Sequence, residues 1–148
     1  MKLKSKEITF SLLLFAFCIL LPSCSKDKPV YSEVPEISFV SISSTSVNSS
    51  DPLTFVISYQ DGDGDLGENS PDIHNLYLTD NRIGSSYQYR ISELAPTTSL
   101  IIKGTLSIIL DNAGLLGAGP ENVTYSIYVV DRAGHTSNTV LSPTVTVH

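Results

Sequence analysis

Leu53, Phe55, Ile57 and Tyr59 alternate with Thr54, Val56, Ser58 and Gln60, a strict two-residue period. Successive side chains of an extended chain point to opposite faces, so such a stretch buries one face only as a β-strand. The period recurs along the chain. Leu76 and Leu78 flank Tyr77. Leu100, Ile102, Leu106, Ile108 and Leu110 share one parity, with Gly104 among them. Tyr125, Ile127 and Val129 alternate with Ser126, Tyr128 and Val130, and Val145 and Val147 follow near the end. Clusters of Gly, Asn, Asp, Pro and Ser separate these runs, and no helical period of useful length follows Pro35.

The expected strands span 36–43, 53–60, 73–80, 86–92, 99–110, 123–130 and 138–147. About seven short strands in one domain is the pattern of an all-β, immunoglobulin-like β-sandwich, assigned here to residues 35–148. Two parity breaks interrupt it. Ile37 and Phe39 are odd whereas Val40 and Ile42 are even; Val140 is even whereas Val145 and Val147 are odd, with Pro143 between. A bulge or a change of sheet partner repairs each break. Residues 111–122 form a long Gly-rich connection with room for one helical turn.

The N-terminus reads as an address. Lys2, Lys4 and Lys6 precede an apolar run from Ile8 to Leu21, too short for the ~20 residues of a membrane-spanning helix. A basic start and a short apolar run make a secretory signal. The run ends Leu21-Pro22-Ser23-Cys24, which resembles the lipobox of bacterial lipoproteins. The resemblance implies that 1–23 are removed and that Cys24 is lipidated, leaving 24–34 as a tether. Acyl chains then hold the protein on a membrane, in the cell envelope and on the outer membrane, at its periplasmic or surface face. The alternative is an uncleaved anchor with Cys24 as a spare thiol. Cys18 and Cys24 are the two cysteines, so the domain has no internal disulfide.

Charge narrows the partners. The 148-residue chain has a formal charge of −6, and removing 1–23 takes away Lys2, Lys4, Lys6 and Glu7 to leave −8. Nucleic-acid binding needs clustered Lys and Arg to displace counterions, and this chain has no such cluster.

The sharpest chemical signal is Asp61-Gly62-Asp63-Gly64-Asp65-Leu66-Gly67, between the second and third expected strands. Like charges ~5 Å apart repel by about 1 kcal/mol even in water, and such carboxylates raise one another's pKa. Ca²⁺ takes 6–8 oxygen ligands, and Gly62 and Gly64 allow the tight backbone that turns carboxylates inward. Asp61, Asp63 and Asp65 are candidate calcium ligands, with the Gly67 carbonyl a fourth. The spacing resembles an EF-hand loop, in which Asp72 takes the twelfth position. Leu66 replaces that motif's glycine, Glu68 its aliphatic residue, and strands replace its helices, so only the ligand spacing is shared. Asp131, between the last two expected strands, is expected to reach the same end of the sandwich and to complete the site. The bland readings are a solvated acidic turn for the first loop and an ordinary turn residue for Asp131, with Gly134 left-handed.

The segments 58–67 and 125–138 (Tyr-Ser-Ile-Tyr-Val-Val-Asp-Arg-Ala-Gly-His-Thr-Ser-Asn) together resemble small Ig-like lipoproteins of Bacteroidota. That resemblance implies an envelope location and a sandwich, and no activity. His135 and Ser137 near Asp131 invite a triad, but one hairpin holds all three and no nucleophile elbow accompanies them. Tyr87, Tyr89 and Arg90 are a candidate platform for a glycan or protein, with edge-strand packing as the alternative. The expectation is a non-enzymatic, calcium-stabilised interaction or accessory module with an envelope protein or glycan partner; the alternatives are a glycan-binding subunit and, third, a hydrolase.

Overall fold

The computed structural model describes residues 31–95 and 100–148. The chain is all-β: β1 (Glu36–Ile42), β2 (Ser46–Val47), β3 (Leu53–Asp61), β4 (Leu76–Asp80), β5 (Ser85–Tyr89), β6 (Ile102–Leu110), β7 (Glu121–Val123), β8 (Tyr125–Val129), β9 (Val140–Leu141) and β10 (Val145–Val147). They form three sheets of order β1-β3-β6, β5-β4-β8-β9 and β2-β10-β7. All pairings are antiparallel except β2 with β10.

The alternation read in the sequence generates the core. Leu53, Phe55 and Ile57 of β3, Leu76 and Leu78 of β4, and Tyr125, Ile127 and Val129 of β8 are buried together. Phe55 meets Tyr125 across the sandwich, ring edge to face, with centroids 5.0 Å apart. Val123, Val145 and Val147 of the third sheet close the same core. Gly104 lies opposite Tyr59 in the β3–β6 ladder, and a Cβ there would stand 2.7 Å from the Tyr59 hydroxyl, so the ring covers the glycine.

Both parity breaks are structural. The β1–β3 register shifts between Phe39 and Ser41, which leaves Val40 on the exposed side. At the other break, β9 pairs with β8 and β10 pairs with β2 and β7, so the chain changes sheet across Ser142-Pro143. Proline has no N–H for a ladder; just before it, Ser142 still pairs with Tyr125, its N–H donating to the Tyr125 carbonyl and its hydroxyl accepting from the Tyr125 N–H, both at 2.9 Å.

Several expected boundaries are corrected. The strand expected over 73–80 begins at Leu76, the one over 86–92 is Ser85–Tyr89, and the one over 99–110 begins at Ile102. The run 123–130 is split at Thr124 into β7 and β8, which serve different sheets. β2 was not anticipated. The helical turn expected in 111–122 is absent; Glu121 instead accepts from the N–H groups of Leu116 and Gly117 and holds that loop without a helix. At the same end Arg82 bonds Asp80, Glu121 and the carbonyls of Ala113 and Gly114, tying the β4–β5 turn to the β6–β7 connection.

Candidate metal centre

The parity that buries Leu53, Phe55 and Ile57 runs on to Asp61, the last residue of β3. Its carboxylate is therefore delivered inward, and Asp61 is fully buried. The chain then turns through Gly62-Asp63-Gly64-Asp65, and Leu66 drops back into the core, also fully buried. Leu66 anchors the loop from below. Its N–H donates to Asp61 Oδ2 at 2.8 Å.

The glycines are there because backbone crowds them. A Cβ on Gly62 would stand 2.3 Å from the Ser32 carbonyl oxygen, and one on Gly64 would stand 2.2 Å from that of Leu100. Gly64 also has φ +77°, where any L side chain is strained.

These constraints bring one carboxylate oxygen from each of Asp61, Asp63 and Asp65 within 4.8 Å of one another. In all three residues Oδ1 is buried and has no hydrogen-bond partner among the described residues. The second oxygens of two of them are satisfied: Asp61 Oδ2 by Leu66, and Asp65 Oδ2 by the Ala133 N–H at 3.0 Å. Buried acceptors without donors are costly, and three carboxylates gathered this closely suit a hard cation. Burial pushes the Asp61 carboxyl up to about 6; the Leu66 hydrogen bond opposes that shift, and repulsion from Asp63 and Asp65 adds to it. Asp65 is raised too, by burial first and then by repulsion from Asp131 and Asp63.

The β8–β9 loop meets this site, as the sandwich reading expected. The Arg132 N–H points to the Asp65 carbonyl at 3.4 Å, Ala133 bonds the Asp65 side chain, and Arg132 Nη1 donates to the Gly67 carbonyl at 2.9 Å. Three further expected ligands have other surroundings in this structure. Asp131 stands outside the converging trio. Its Oδ1 accepts from the His135 N–H at 2.7 Å, and its Oδ2 lies 3.0 Å from His135 Nδ1. It is the corner of its own turn, with Gly134 at φ +89°. The Gly67 carbonyl faces a guanidinium, which repels a cation. Asp72 is exposed and outside the cluster. Hydrogen bonds to Asp65 and Gly67 clip the two loops together.

Tyr87 and Tyr89 pair with Leu78 and Leu76 respectively and so share the parity of β4's core residues; Tyr87 is nonetheless exposed, whereas Tyr89 is half-buried. Tyr89 packs against the core and lines a cavity of about 240 Å³ with Leu76, Ile91, Leu94, Leu106 and Ile108. Arg90 Nη1 donates to the Asn69 carbonyl. The outward aromatic pair is Tyr77 and Tyr128, cross-strand neighbours stacked at 4.7 Å with planes 9° apart. Their signal was present in the sequence, since each sits between two core residues and so takes the opposite face. The proposed lipidation residue, Cys24, lies outside the described residues.

Comparison of the chain with protein-family models, with curated proteins and with solved structures found no match.

Proposed function

We propose that this chain is a membrane-anchored envelope lipoprotein whose immunoglobulin-like domain binds calcium and acts as a non-enzymatic interaction or accessory module. The observation that carries the metal reading is that Asp61, Asp63 and Asp65 each bring a carboxylate oxygen within 4.8 Å of the others, and each has a buried Oδ1 with no hydrogen-bond partner among the described residues. A divalent cation supplies the charge and the bonds that all three lack. The strand orders β1-β3-β6 and β5-β4-β8-β9 support the immunoglobulin-like assignment, since they set a three-stranded sheet against a four-stranded one with hairpin partners β4 and β5 at one edge. Cys24, after a basic start and a short apolar run, supports the anchor.

Calcium suits the site better than magnesium. Mg²⁺ demands a strict octahedron and gives up water reluctantly, whereas Ca²⁺ accepts irregular sets of carboxylates. Isothermal titration of the domain with Ca²⁺ and with Mg²⁺ tests this: one Ca²⁺ per chain, tighter than Mg²⁺ and lost in Asp63→Ala, supports the reading, and no heat of binding refutes it. The anchor has its own test, since Cys24→Ser abolishes lipid labelling if Cys24 is acylated.

A second reading, glycan binding, draws on the Tyr77–Tyr128 stack, which offers an aromatic surface on the outer face of its sheet. A glycan-array signal lost in Tyr128→Ala supports it.

A further inference from the structure

Resting on the calcium reading, we propose that residues 31–34, where the chain enters the domain, are a wall of the metal centre, so that cation binding and docking of this segment are one coupled event. Asp61 and Asp65 are each held by a backbone N–H on Oδ2, from Leu66 and Ala133. Asp63 accepts no such bond from the described backbone. Its position is set by its two glycine neighbours. The Gly62 N–H donates to the Ser32 carbonyl at 2.9 Å, and the backbone at Gly62 and Gly64 is pressed against the carbonyls of Ser32 and Leu100 so closely that neither position admits a Cβ.

Ser32 is itself fixed from both sides. Its hydroxyl accepts from the Val34 N–H at 3.0 Å. Lys103 Nζ lies 4.2 Å from the centre of the Tyr31 ring, a cation–π contact. Lys103 belongs to β6, beside Ile102, which pairs with Asp61. The entering segment thus bridges β6, the ladder partner of the strand that supplies the first ligand, and the loop that supplies the second.

Without a cation, repulsion among the three carboxylates falls on Asp63, the one not tied to an N–H. Moving Asp63 outward carries Gly62 away from Ser32 and frees the segment. A cation reverses this. Reciprocity follows from linkage: whatever tightens the segment when the cation binds also tightens the cation when the segment docks. Tyr31 and Ser32 are positioning residues for the site. Because Cys24 lies eight positions before Ser32, the coupling connects the cation to the root of the proposed anchor.

The test uses the mature chain and Ca²⁺ alone. Titration calorimetry is run on the parent, Tyr31→Ala, Gly62→Ala and Gly84→Ala, the last at a turn with open space around it. Amide hydrogen exchange is followed with Ca²⁺ and with chelator. The expected result is at least fivefold weaker Ca²⁺ binding in Tyr31→Ala and Gly62→Ala, parent affinity in Gly84→Ala, and at least tenfold slower exchange of the Gly62 N–H in the parent when Ca²⁺ is present. Tyr31→Ala decides if Gly62→Ala does not fold, because it removes the ring over Lys103 and leaves the glycines of the loop in place. Parent-like affinity in Tyr31→Ala overturns the coupling and leaves the metal centre standing. A parent that binds no Ca²⁺ overturns both.

Discussion

Asp61→Asn reverses sign with the cation. Asparagine keeps an oxygen for the Leu66 N–H and the same shape, but it removes the charge. In chelator the parent carries a buried carboxylate whose pKa rises from 3.8 to about 6. The unfolded chain therefore releases this proton at lower pH than the native state does. Between about pH 4 and pH 6 the native state holds more protons, so its stability falls as pH rises through that window and levels off above it. A tenfold change in proton affinity corresponds to about 1.4 kcal/mol, so at pH 7 the parent loses at most about 3 kcal/mol, less whatever the loop recovers by relaxing. Asp61→Asn removes that loss. In chelator at pH 7 the variant should melt above the parent, at roughly 3–6 °C per kcal/mol for a domain of this size, and at pH 4 the advantage should vanish. In saturating Ca²⁺ the variant should melt below the parent, since it lacks a charged ligand. Thermal melts at two pH values, with and without Ca²⁺, give all four comparisons. A variant less stable than the parent in chelator at pH 7 refutes the reasoning, because it means that the charge is already compensated inside the protein.

Other perturbations separate the parts of the site from the scaffold. Leu66→Ala, at a fully buried position, should cost about 2–5 kcal/mol and blunt the Ca²⁺ response, read from denaturant melts with and without the ion. Gly64→Ala should cost several-fold more stability than Gly84→Ala, since both have positive φ but only Gly64 faces a carbonyl at 2.2 Å. Arg82→Ala should cost roughly 3–5 kcal/mol by stranding the nearly buried Asp80 carboxylate, and Arg82→Lys should not restore it, because one ammonium cannot reach Asp80, Glu121 and two carbonyls at once.

Most of the fold was legible because a half-buried strand must alternate. Parity located the long strands, and its failures at Phe39-Val40 and around Pro143 located the bulge and the change of sheet. β2 was invisible, since two residues carry no period and their pairing to β10 is decided by the third dimension. The split of the 123–130 run was hidden for a different reason: the buried residues Val123 of β7 and Tyr125, Ile127 and Val129 of β8 keep one parity across Thr124, although the two strands belong to different sheets.

The site was legible in part. Alternating Asp and Gly identified Asp61, Asp63 and Asp65, and the two-sheet topology brought the Asp131 loop to the same end. The surroundings of Asp131 were not legible, because a turn carboxylate can serve a distant site or its own backbone, and the His135 N–H four residues on bonds it here. The partner of the Gly67 carbonyl was not legible either, because nothing in the spacing places Arg132 on it. The role of Ser32 was out of reach, since a carbonyl resting on a glycine leaves no trace in either side chain.

The central claim, a cation held by three converging carboxylates, is tested most directly by a crystal structure with Ca²⁺ and anomalous scattering to locate the ion. The account predicts one ion bound by Oδ1 of Asp61, Asp63 and Asp65, at the roughly 2.3–2.6 Å of calcium–oxygen bonds. No anomalous peak at saturating Ca²⁺, or an ion bound by Asp131 or Asp72 and not by this trio, contradicts it.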